Sequence, residues 1–568
     1  MVDFIESGQF EQILHTRVDF DMAPTKTIAA GSLILSLFSA YVNDNRGRAF
    51  LLGSFATLFF GQLFVYAVYA VLIYPFYVSP LRHIPTAPGG HWLLGHGMKI
   101  VKEVNGNPSR EWIRTVPNDG ILRYFWFFNI ERVLVTSPQA MAEVLVTKNY
   151  TFPKPAAVRA NIGRALGFGI LLAEGDEHKL QRRNLMPAFA FRHVKDLYPT
   201  FWRKTREVVQ AMTQAAGSDG VLETEVYGWS SRVTLDIIGL AGMGKDFGAI
   251  QDENNHLVQL YNQLFKPTRG AQILALLESV VGVRAVGLLP VRRTDHIAEA
   301  SKRIREVCLG LIAEKRAKIQ GGGGEKHRGE DVDILGVAME SGLFSDAGLV
   351  DQMMTFLAAG HETTASAMIW AIYLLSKHKN MQDKLRQEIR ENLPSVDDAE
   401  TAVSSLDVDK MPYLNAVTSE VLRYFGPVPQ TMREASSDAT VLGTVVPKGT
   451  RVVISPWGTN RDEKLWGGDA GEFNPERWLA KEDGKASNNG GAESNYAMLT
   501  FLHGPRSCIG QSFAKAEFAC LLAGWVGRFE FDLADASMAD EASLDIKGGI
   551  TAKPKGGMPI VAKVVGGW

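Results

Sequence analysis

The sequence predicts a mainly α-helical protein with a small β region, preceded by an N-terminal membrane anchor. After residue 95, amphipathic helical patterns fill most of the chain, with a few short strand-like segments between them. The one obvious interior break is a polar, glycine-rich stretch at 321–329, which we expect to be a surface loop. The 568 residues are 46% hydrophobic, enough to bury a large core in one big domain or in two ordinary ones.

The anchor is predicted from an uncharged apolar segment. Residues 49–74 carry no charge, and as a helix they would extend about 39 Å, enough to cross a bilayer with tilt. We bound this transmembrane helix at 49–75, because Pro75 begins a series of prolines, and we expect residues 76–95 to form an extended, Pro-rich linker. A buried helix of a globular core is the alternative for this segment.

A second uncharged segment, 27–43, lies within the leader of residues 1–48. If it also spans the membrane, the two segments form a hairpin and the first residues are cytosolic; if it does not, the amino terminus is lumenal. Arg46 and Arg48 lie between the segments, whereas Arg82 and Lys99 follow the second. Positive charges therefore do not decide between the two topologies.

Charge and cysteine content exclude several classes of protein. A net charge of -2 gives no bulk basic field for nucleic acid, so we expect no nucleic-acid partner. The three cysteines, Cys308, Cys508 and Cys520, have neither metal-finger nor disulfide-framework spacing. This pattern fits a reducing, cytosol-facing environment.

Cys508 carries the strongest functional signal, in the run FLHGPRSCIG at 501–510. A thiolate that ligates haem iron must be shielded yet kept anionic, which needs a tight loop that turns backbone N–H groups toward the sulfur. Gly504 permits a positive φ, and Gly510 lets the next helix approach the porphyrin. Phe501 can cover the cysteine, and Arg506 is near enough to pair with a haem propionate. We therefore predict Cys508 as the axial ligand of haem iron.

A second signal, AGHETT at 359–364, stands at the centre of a long predicted helix. Thr363 can return its hydroxyl to the carbonyl of Ala359 and bend the helix, and Gly360 leaves room in the groove for a diatomic ligand. Glu362 can exchange protons with solvent. A carboxylate beside a positioned hydroxyl can relay the protons that O–O cleavage requires, although ordinary helix polarity explains such residues when they occur alone.

The pattern Phe-x-x-Gly-x-Arg-x-Cys-x-Gly, combined with Glu362-Thr363, resembles the cytochrome P-450 superfamily. The resemblance runs from about Pro85 to the end, and is most similar to microsomal, fungal-type members. It implies one large haem domain over 96–568, with the haem between the helix around Thr363 and the helix that begins at Gly510.

The same resemblance implies a buried network on the proximal side. Glu420 and Arg423 stand one helical turn apart, and Arg477 follows in FNPERW at 473–478. These three residues are expected to lock a helix to a loop and to retain the haem. Asn460 stands where relatives often carry the His of His-Arg-Asp, with an expected effect on local packing only.

Haem propionates need cations, and the resemblance assigns further ones. Arg182 matches the Arg of a Trp-x-x-x-Arg motif, with His178 in place of the Trp; the two share a helix face. Arg433 matches the position of a third cation that binds a haem propionate in many members of the family.

The activity implied by the resemblance is that of a haem-thiolate monooxygenase with haem b (iron protoporphyrin IX) and O2. Since no Gly-rich nucleotide fingerprint follows a strand, electrons are expected from a separate NADPH-cytochrome reductase. The protein is expected in the endoplasmic reticulum bilayer with its catalytic domain in the cytosol. The substrate is expected to be a hydrophobic small molecule such as a terpenoid, polyketide or lipid, in contact with Phe356, Val428, Thr431 and Ile550.

Two alternatives remain from the sequence. One is a haem-thiolate isomerase or dehydratase without external electrons, against which the Glu362-Thr363 pair argues. The other is a non-catalytic haem-binding protein.

Overall fold

The structure is a computed structural model that describes residues 22–44, 47–265, 270, 273, 277, 296–321, 333–479, 489–548 and 550–568. The predicted glycine-rich break at 321–329 lies outside the described residues, apart from Gly321.

Helices make up most of the described chain. In chain order they are α1 (Met22–Val42), α2 (Arg48–Val68), α3 (Gly97–Lys102), α4 (Asn107–Thr115), α5 (Pro138–Ala142), α6 (Ala156–Leu166), α7 (Gly175–Leu185), α8 (Phe191–Asp196), α9 (Tyr198–Ala215), α10 (Val226–Met243), α11 (His256–Phe265), α12 (His296–Gly321), α13 (Ile334–Glu340), α14 (Asp346–Lys377), α15 (Lys379–Asn392), α16 (Ser405–Asp409), α17 (Pro412–Tyr424), α18 (Pro456–Thr459), α19 (Glu463–Trp466) and α20 (Gln511–Arg528).

The β region is small and divided among separate sheets. Its strands are β1 (Ile121–Phe125), β2 (Glu131–Val135), β3 (Val221–Glu225), β4 (Thr431–Glu434), β5 (Ala439–Val441), β6 (Thr444–Val446), β7 (Arg451–Ile454), β8 (Phe529–Leu533), β9 (Ile546–Gly548), β10 (Ala552–Pro554) and β11 (Pro559–Val564). One sheet has the order β1-β2-β7-β4, with β2 and β7 parallel, and a second has the order β3-β11-β8. The pairs β5-β6 and β9-β10 are antiparallel hairpins.

Helix α14 forms the centre of the molecule. It is 32 residues long and buried over most of its length, as its apolar residues on every face lead one to expect. It packs against α10, α12, α17 and α20. Trp370 of α14 stacks on Phe425 with ring centroids 4.1 Å apart, and its indole N–H donates to the carbonyl of Ala552. The elements that carry the predicted site residues are therefore fixed around one rigid helix.

The apolar N-terminal helix continues beyond its predicted end at 75. In the described chain, one helix, Arg48–Val78, is both long enough and apolar enough to cross a membrane. From Tyr69 onward its turns are wider and of the π type. In π-type turns a peptide N–H donates to the carbonyl five residues before it, so Pro75 removes the donor of the Ala70 carbonyl. The adjacent carbonyl of Val71 accepts a hydrogen bond from the side chain of Asn129 at 3.0 Å, so the loop between β1 and β2 contacts the helix where it passes the proline.

The segment 76–95 is attached to the first sheet rather than fully extended. Pro80–His83 forms a single 3-10 turn, and Thr86 bridges to Arg123 of β1. Arg123 is buried and donates from Nη1 both to the Pro75 carbonyl and to Glu131, each at 2.9 Å. The end of the apolar N-terminal helix is thus fastened directly to the β1–β2 hairpin.

A buried carboxyl at the contact of α14 and α20 makes stability depend on pH. Glu517 is fully buried and accepts a hydrogen bond from Thr364 at 2.9 Å. Burial raises its pKa from 4.5 to about 8. Between these values the folded state binds one proton more than the unfolded state, so the free energy of unfolding must fall as pH rises through that window.

We expect Glu517→Gln to remove the pH dependence that Glu517 gives to the free energy of unfolding. In thermal unfolding followed by circular dichroism, the stability of the variant relative to the parent should be higher at pH 8.5 than at pH 5. An equal difference at both pH values would show that Glu517 is ionised in the folded protein.

Candidate active site

The loop before α20 turns tightly around Cys508. Leu502 and Gly504 adopt left-handed backbone conformations, with φ of 56° and 79°. A Cβ at Gly504 would collide with the carbonyl oxygen of Leu145, so only glycine fits there. The peptide N–H of Cys508 donates to the carbonyl of Phe501 at 2.9 Å, which closes the turn.

The thiol of Cys508 is accessible but enclosed by protein. Cys308 and Cys520 are buried, whereas Cys508 is exposed. Desolvation nevertheless raises the pKa of Cys508, and the Gly510 backbone N–H and the Arg182 charge only partly oppose it. A metal cation beside the sulfur would oppose this shift and favour the thiolate, which is the form that binds iron.

Helix α14 is accessible over one short stretch of an otherwise buried region. Ala359 is exposed, while Gly360 and Thr363 are half-buried. The Thr363 hydroxyl donates to the Ala359 carbonyl at 2.7 Å. A Cβ on Gly360 would lie 2.8 Å from the side chain of Ile238, so this glycine permits close packing against α10.

One hydrogen bond connects this stretch to the helix that follows the cysteine loop. Thr364 adjoins Thr363 in α14, and Glu517 lies in α20, which begins just after Cys508. Their hydrogen bond therefore couples the two helices that the sequence places on either side of a haem.

Glu362 is 3% exposed, and three side chains hold its carboxylate. Tyr227 donates to it at 2.6 Å, Thr551 at 2.8 Å and Lys553 at 2.7 Å. Burial acts to raise the pKa of Glu362, but the Lys553 and His361 charges and the hydrogen bonds from Lys553 and Tyr227 together outweigh it, so the pKa lies below its usual value. Within the described residues, no hydrogen bond joins this carboxylate to the Thr363 hydroxyl. The two neighbours in sequence have separate partners in space.

Arg506 is buried and bound by protein groups. Its guanidinium contacts Glu174 at 2.5 Å, the carbonyl of Phe152 at 2.6 Å and the carbonyl of Asn149. Its Nε has no hydrogen-bond partner in the part of the chain that the structure describes.

Arg182 contacts the cysteine loop, and His178 lies near Arg182 and Lys154. The two residues differ in charge. Arg182 donates to the carbonyl of Ser507 at 2.6 Å. His178 is buried, with Nδ1 3.2 Å from the Tyr150 hydroxyl. Burial, followed by the nearby Lys154 and Arg182 charges, lowers the pKa of His178 to about 4. His178 is therefore neutral near pH 7 and offers a hydrogen bond rather than a charge.

Arg433 and Lys154 complete a cluster with excess positive charge. Burial, with Arg506 nearby, lowers the pKa of Arg433 to about 10. Burial and Arg433 lower that of Lys154 to about 7. Lys154 lies 3.9 Å from Glu174, the carboxylate that also holds Arg506, and the Nε of Arg433 has no partner among described residues. The cluster fits a group that brings further carboxylates, as the two propionates of haem would.

The structure brings Glu420, Arg423 and Arg477 together. Glu420 and Arg423 are fully buried and form a bidentate pair at 2.7 and 2.8 Å. Arg477 donates to Glu420 at 3.2 Å, and Arg423 also donates to the carbonyls of Asn460, Ala470 and Glu472. Helix α17 is thereby fixed to the loop that follows α18 and α19.

The residues predicted to contact substrate differ in burial. Phe356 is buried and packs against Phe189 at 5.4 Å between ring centroids. Val428 and Thr431 are half-buried, and Ile550 is exposed. Thr431 accepts a hydrogen bond from Arg433 at 3.2 Å.

Sequence reasoning missed several members of these clusters. Lys154 and Glu174 lie outside every motif that the sequence offers, and so do Tyr227 and Lys553. Asn460 has a larger role than local packing: it donates to the Arg423 carbonyl and to Thr500, and it accepts from the N–H of Leu499. Its position in an Asn-Arg-Asp run, where relatives have His-Arg-Asp, was the available signal.

We expect Glu420→Gln to cost about 3 to 5 kcal/mol of stability, because it leaves buried Arg423 without its counter-charge. Glu476→Gln is the matched control: its partner Lys384 lies 2.6 Å away, but both side chains are about half exposed. That pair should contribute less than about 1 kcal/mol. Urea unfolding of both variants measures the two losses of stability. Equal losses would show that the buried Glu420 pair contributes no more to stability than an exposed pair.

The chain is similar to known proteins over most of its length. The cytochrome P-450 family model matches residues 85–560. The chain is 46% identical over 525 residues to cytochrome P-450 monooxygenase sphH of Aspergillus fumigatus, covering 91% of this chain and 94% of that protein. It is 42% identical to monooxygenase FUM15 of Gibberella moniliformis (90% and 94%) and 40% identical to ALT8 of Alternaria alternata (96% and 100%). The chain belongs to the cytochrome P-450 family.

Proposed function

We propose that this protein is a membrane-bound haem-thiolate monooxygenase that oxidises a hydrophobic small molecule in secondary metabolism, such as a terpenoid or a polyketide. Electrons come from a separate NADPH-cytochrome reductase. The observation that carries the proposal is the accessible thiol of Cys508, held in a closed turn beside Arg182 and linked through α20 to the accessible stretch of α14. The relatives, each named as a monooxygenase, support it.

Haem b is the cofactor that these residues would hold, with Cys508 on the iron and Arg182, Arg433, Arg506 and Lys154 near the propionates. When bound, it supplies O2 activation, which the electron-rich thiolate ligand favours. The protein contributes binding, orientation and charge.

Proton supply falls to Glu362 and its partners. Lys553 is in contact with solvent, with 24% of its side chain exposed, and donates to the buried Oε1 of Glu362. A proton can therefore reach Glu362 from the surface through Lys553 without opening the core. Thr363 holds its hydroxyl hydrogen on the Ala359 carbonyl, which leaves the hydroxyl oxygen oriented to accept a hydrogen bond from a neighbouring donor.

The proposed substrate surface is mostly apolar. Phe356 and Val428 offer hydrocarbon surface, and Thr431 has its hydroxyl oxygen occupied by Arg433. Such a lining excludes water and selects an apolar substrate by burial. The apolar helix Arg48–Val78 supports attachment to the endoplasmic reticulum membrane, with the catalytic domain in the cytosol where the reductase is reached.

Substrate-dependent NADPH oxidation with added reductase distinguishes this function from its alternatives. A monooxygenase oxidises NADPH in step with product. An isomerase or dehydratase forms product without NADPH, and a haem carrier does neither. The Glu362–Lys553 pair supports the monooxygenase, because cleavage of O2 consumes protons that must be supplied from solvent.

We expect the reduced protein with carbon monoxide to show the red-shifted Soret band of thiolate-ligated haem, and Cys508→Ala to lose it. Cys308→Ala, which removes a buried sulfur from α12, should keep it. The same spectrum from parent and Cys508→Ala would overturn the proposal.

We expect Lys553→Met to raise the pKa of Glu362, because the variant removes the cation that stabilises the carboxylate. Infrared titration should show the protonated-carboxyl band that Glu362→Gln abolishes persisting to higher pH, and less product should form per NADPH. Lys555 lies two residues after Lys553, and Lys555→Met, which breaks an exposed pair with Asp545, should change neither the band nor the yield of product. An unmoved band in Lys553→Met would exclude this role of the lysine.

A further inference from the structure

Helices α1 and α2 pack against each other as an antiparallel hairpin. The connection between them at 43–47 is short. Ser32 donates to the side chain of Gln62 at 3.4 Å, in the middle of both helices. At the far end from the connection, Thr27 of α1 lines the same groove as Tyr66 and Tyr69. The two ends of the hairpin are therefore the connection and the level of Thr27 and Tyr69.

The face of α1 that meets α2 is made of small residues. Ser32, Ser36 and Ala40, spaced four apart, are all almost completely buried. Within lipid, small residues let helix backbones approach closely, and polar side chains pair across the interface. The contact of Ser32 with Gln62 satisfies two polar groups that would otherwise be costly in hydrocarbon.

The outer faces of both helices are covered by large apolar side chains. Exposed members are Leu33, Ile34, Leu35, Leu37, Phe38, Tyr41, Val42, Leu52, Phe60 and Phe64. A surface of this kind on two long helices is too apolar to face water, and fits the acyl chains of a bilayer.

Length fits a full crossing for α2 and a barely sufficient one for α1. From Arg48 to Tyr69 a helix rises about 31 Å, close to the thickness of bilayer hydrocarbon. The apolar part of α1, Lys26–Val42, is shorter and lies at the lower limit for a membrane-spanning helix. Asn43, Asp44 and Arg48 mark the connection end. Lys26 of α1 stands at the other end, beside the Tyr69 level where an interfacial aromatic belt is expected.

We propose that α1 and α2 both cross the membrane, so that the connection at 43–47 lies on the lumenal side and the residues before Met22 lie on the same side as the catalytic domain. This rests on the proposed membrane attachment and adds a topology to it. A single crossing by α2 would instead leave α1 and the leader on the lumenal side, with the small-residue face of α1 unpaired.

Glycosylation mapping of the full chain in microsomes tests this. An Asn-Ser-Thr acceptor in a Gly/Ser-rich insertion is placed either within the leader before Met22 or within 43–47. The natural triplet Asn149-Tyr150-Thr151 reports the catalytic domain. We expect modification of the acceptor at 43–47 alone.

Modification of the leader acceptor overturns the hairpin but keeps the membrane anchor. Modification at neither inserted site overturns the crossing itself, and modification of Asn149 overturns the cytosolic orientation of the catalytic domain.

Cysteine cross-linking tests the packing independently. Oxidation in membranes should join the Ser32→Cys/Gln62→Cys pair, and should leave the matched pair Leu33→Cys/Gln62→Cys unjoined, because Leu33 is exposed on the outer face. Cross-linking of both pairs to the same extent, or of neither, contradicts the packed hairpin.

Discussion

The bidentate pair of Glu420 and Arg423 is the interaction on which the proximal half of the molecule depends. Both side chains are removed from water, and such a pair is favourable only when every remaining hydrogen-bonding position is filled. Here Glu420 also accepts from the N–H of Asn474 and from the Trp478 indole, so α17 and the 469–478 loop share one set of contacts. Through Asn460 the same set reaches Leu499 and Thr500, just before the cysteine loop. Cys508 is therefore positioned by charges far from it in sequence.

Local spacing explains what the sequence could predict. Glu420 and Arg423 are one turn apart on a helix, and Thr363 is one turn from Ala359, so these contacts follow from helix geometry alone. The conformation at Gly504 follows from the tight turn that the cysteine needs. The mainly helical fold with small sheets was predicted correctly, because long amphipathic patterns identify helices well.

Contacts between distant segments could not be predicted in this way. The partners of Glu362 come from α10 and from the C-terminal strands, 135 and 191 residues away in the chain for Tyr227 and Lys553. Only the folded arrangement makes them neighbours. The helix beyond Pro75 is a similar case: the proline signals a break, but the turns widen around it, and Asn129 of the β1–β2 hairpin binds the nearby carbonyl of Val71. A contact made by a residue so far away in the chain leaves no periodic signal.

The cluster of Lys154, Arg433 and Arg506 around Glu174 has a consequence for how much of this protein a cell holds. With a single carboxylate among them, these buried cations repel one another in the chain without its cofactor. Binding of a dianionic porphyrin relieves that repulsion only in the folded state, and a ligand that binds only the folded state stabilises it. Newly made chains that meet no porphyrin should therefore open more often and be more accessible to proteases. We therefore expect the abundance of this protein to follow the supply of haem even when its messenger RNA is constant.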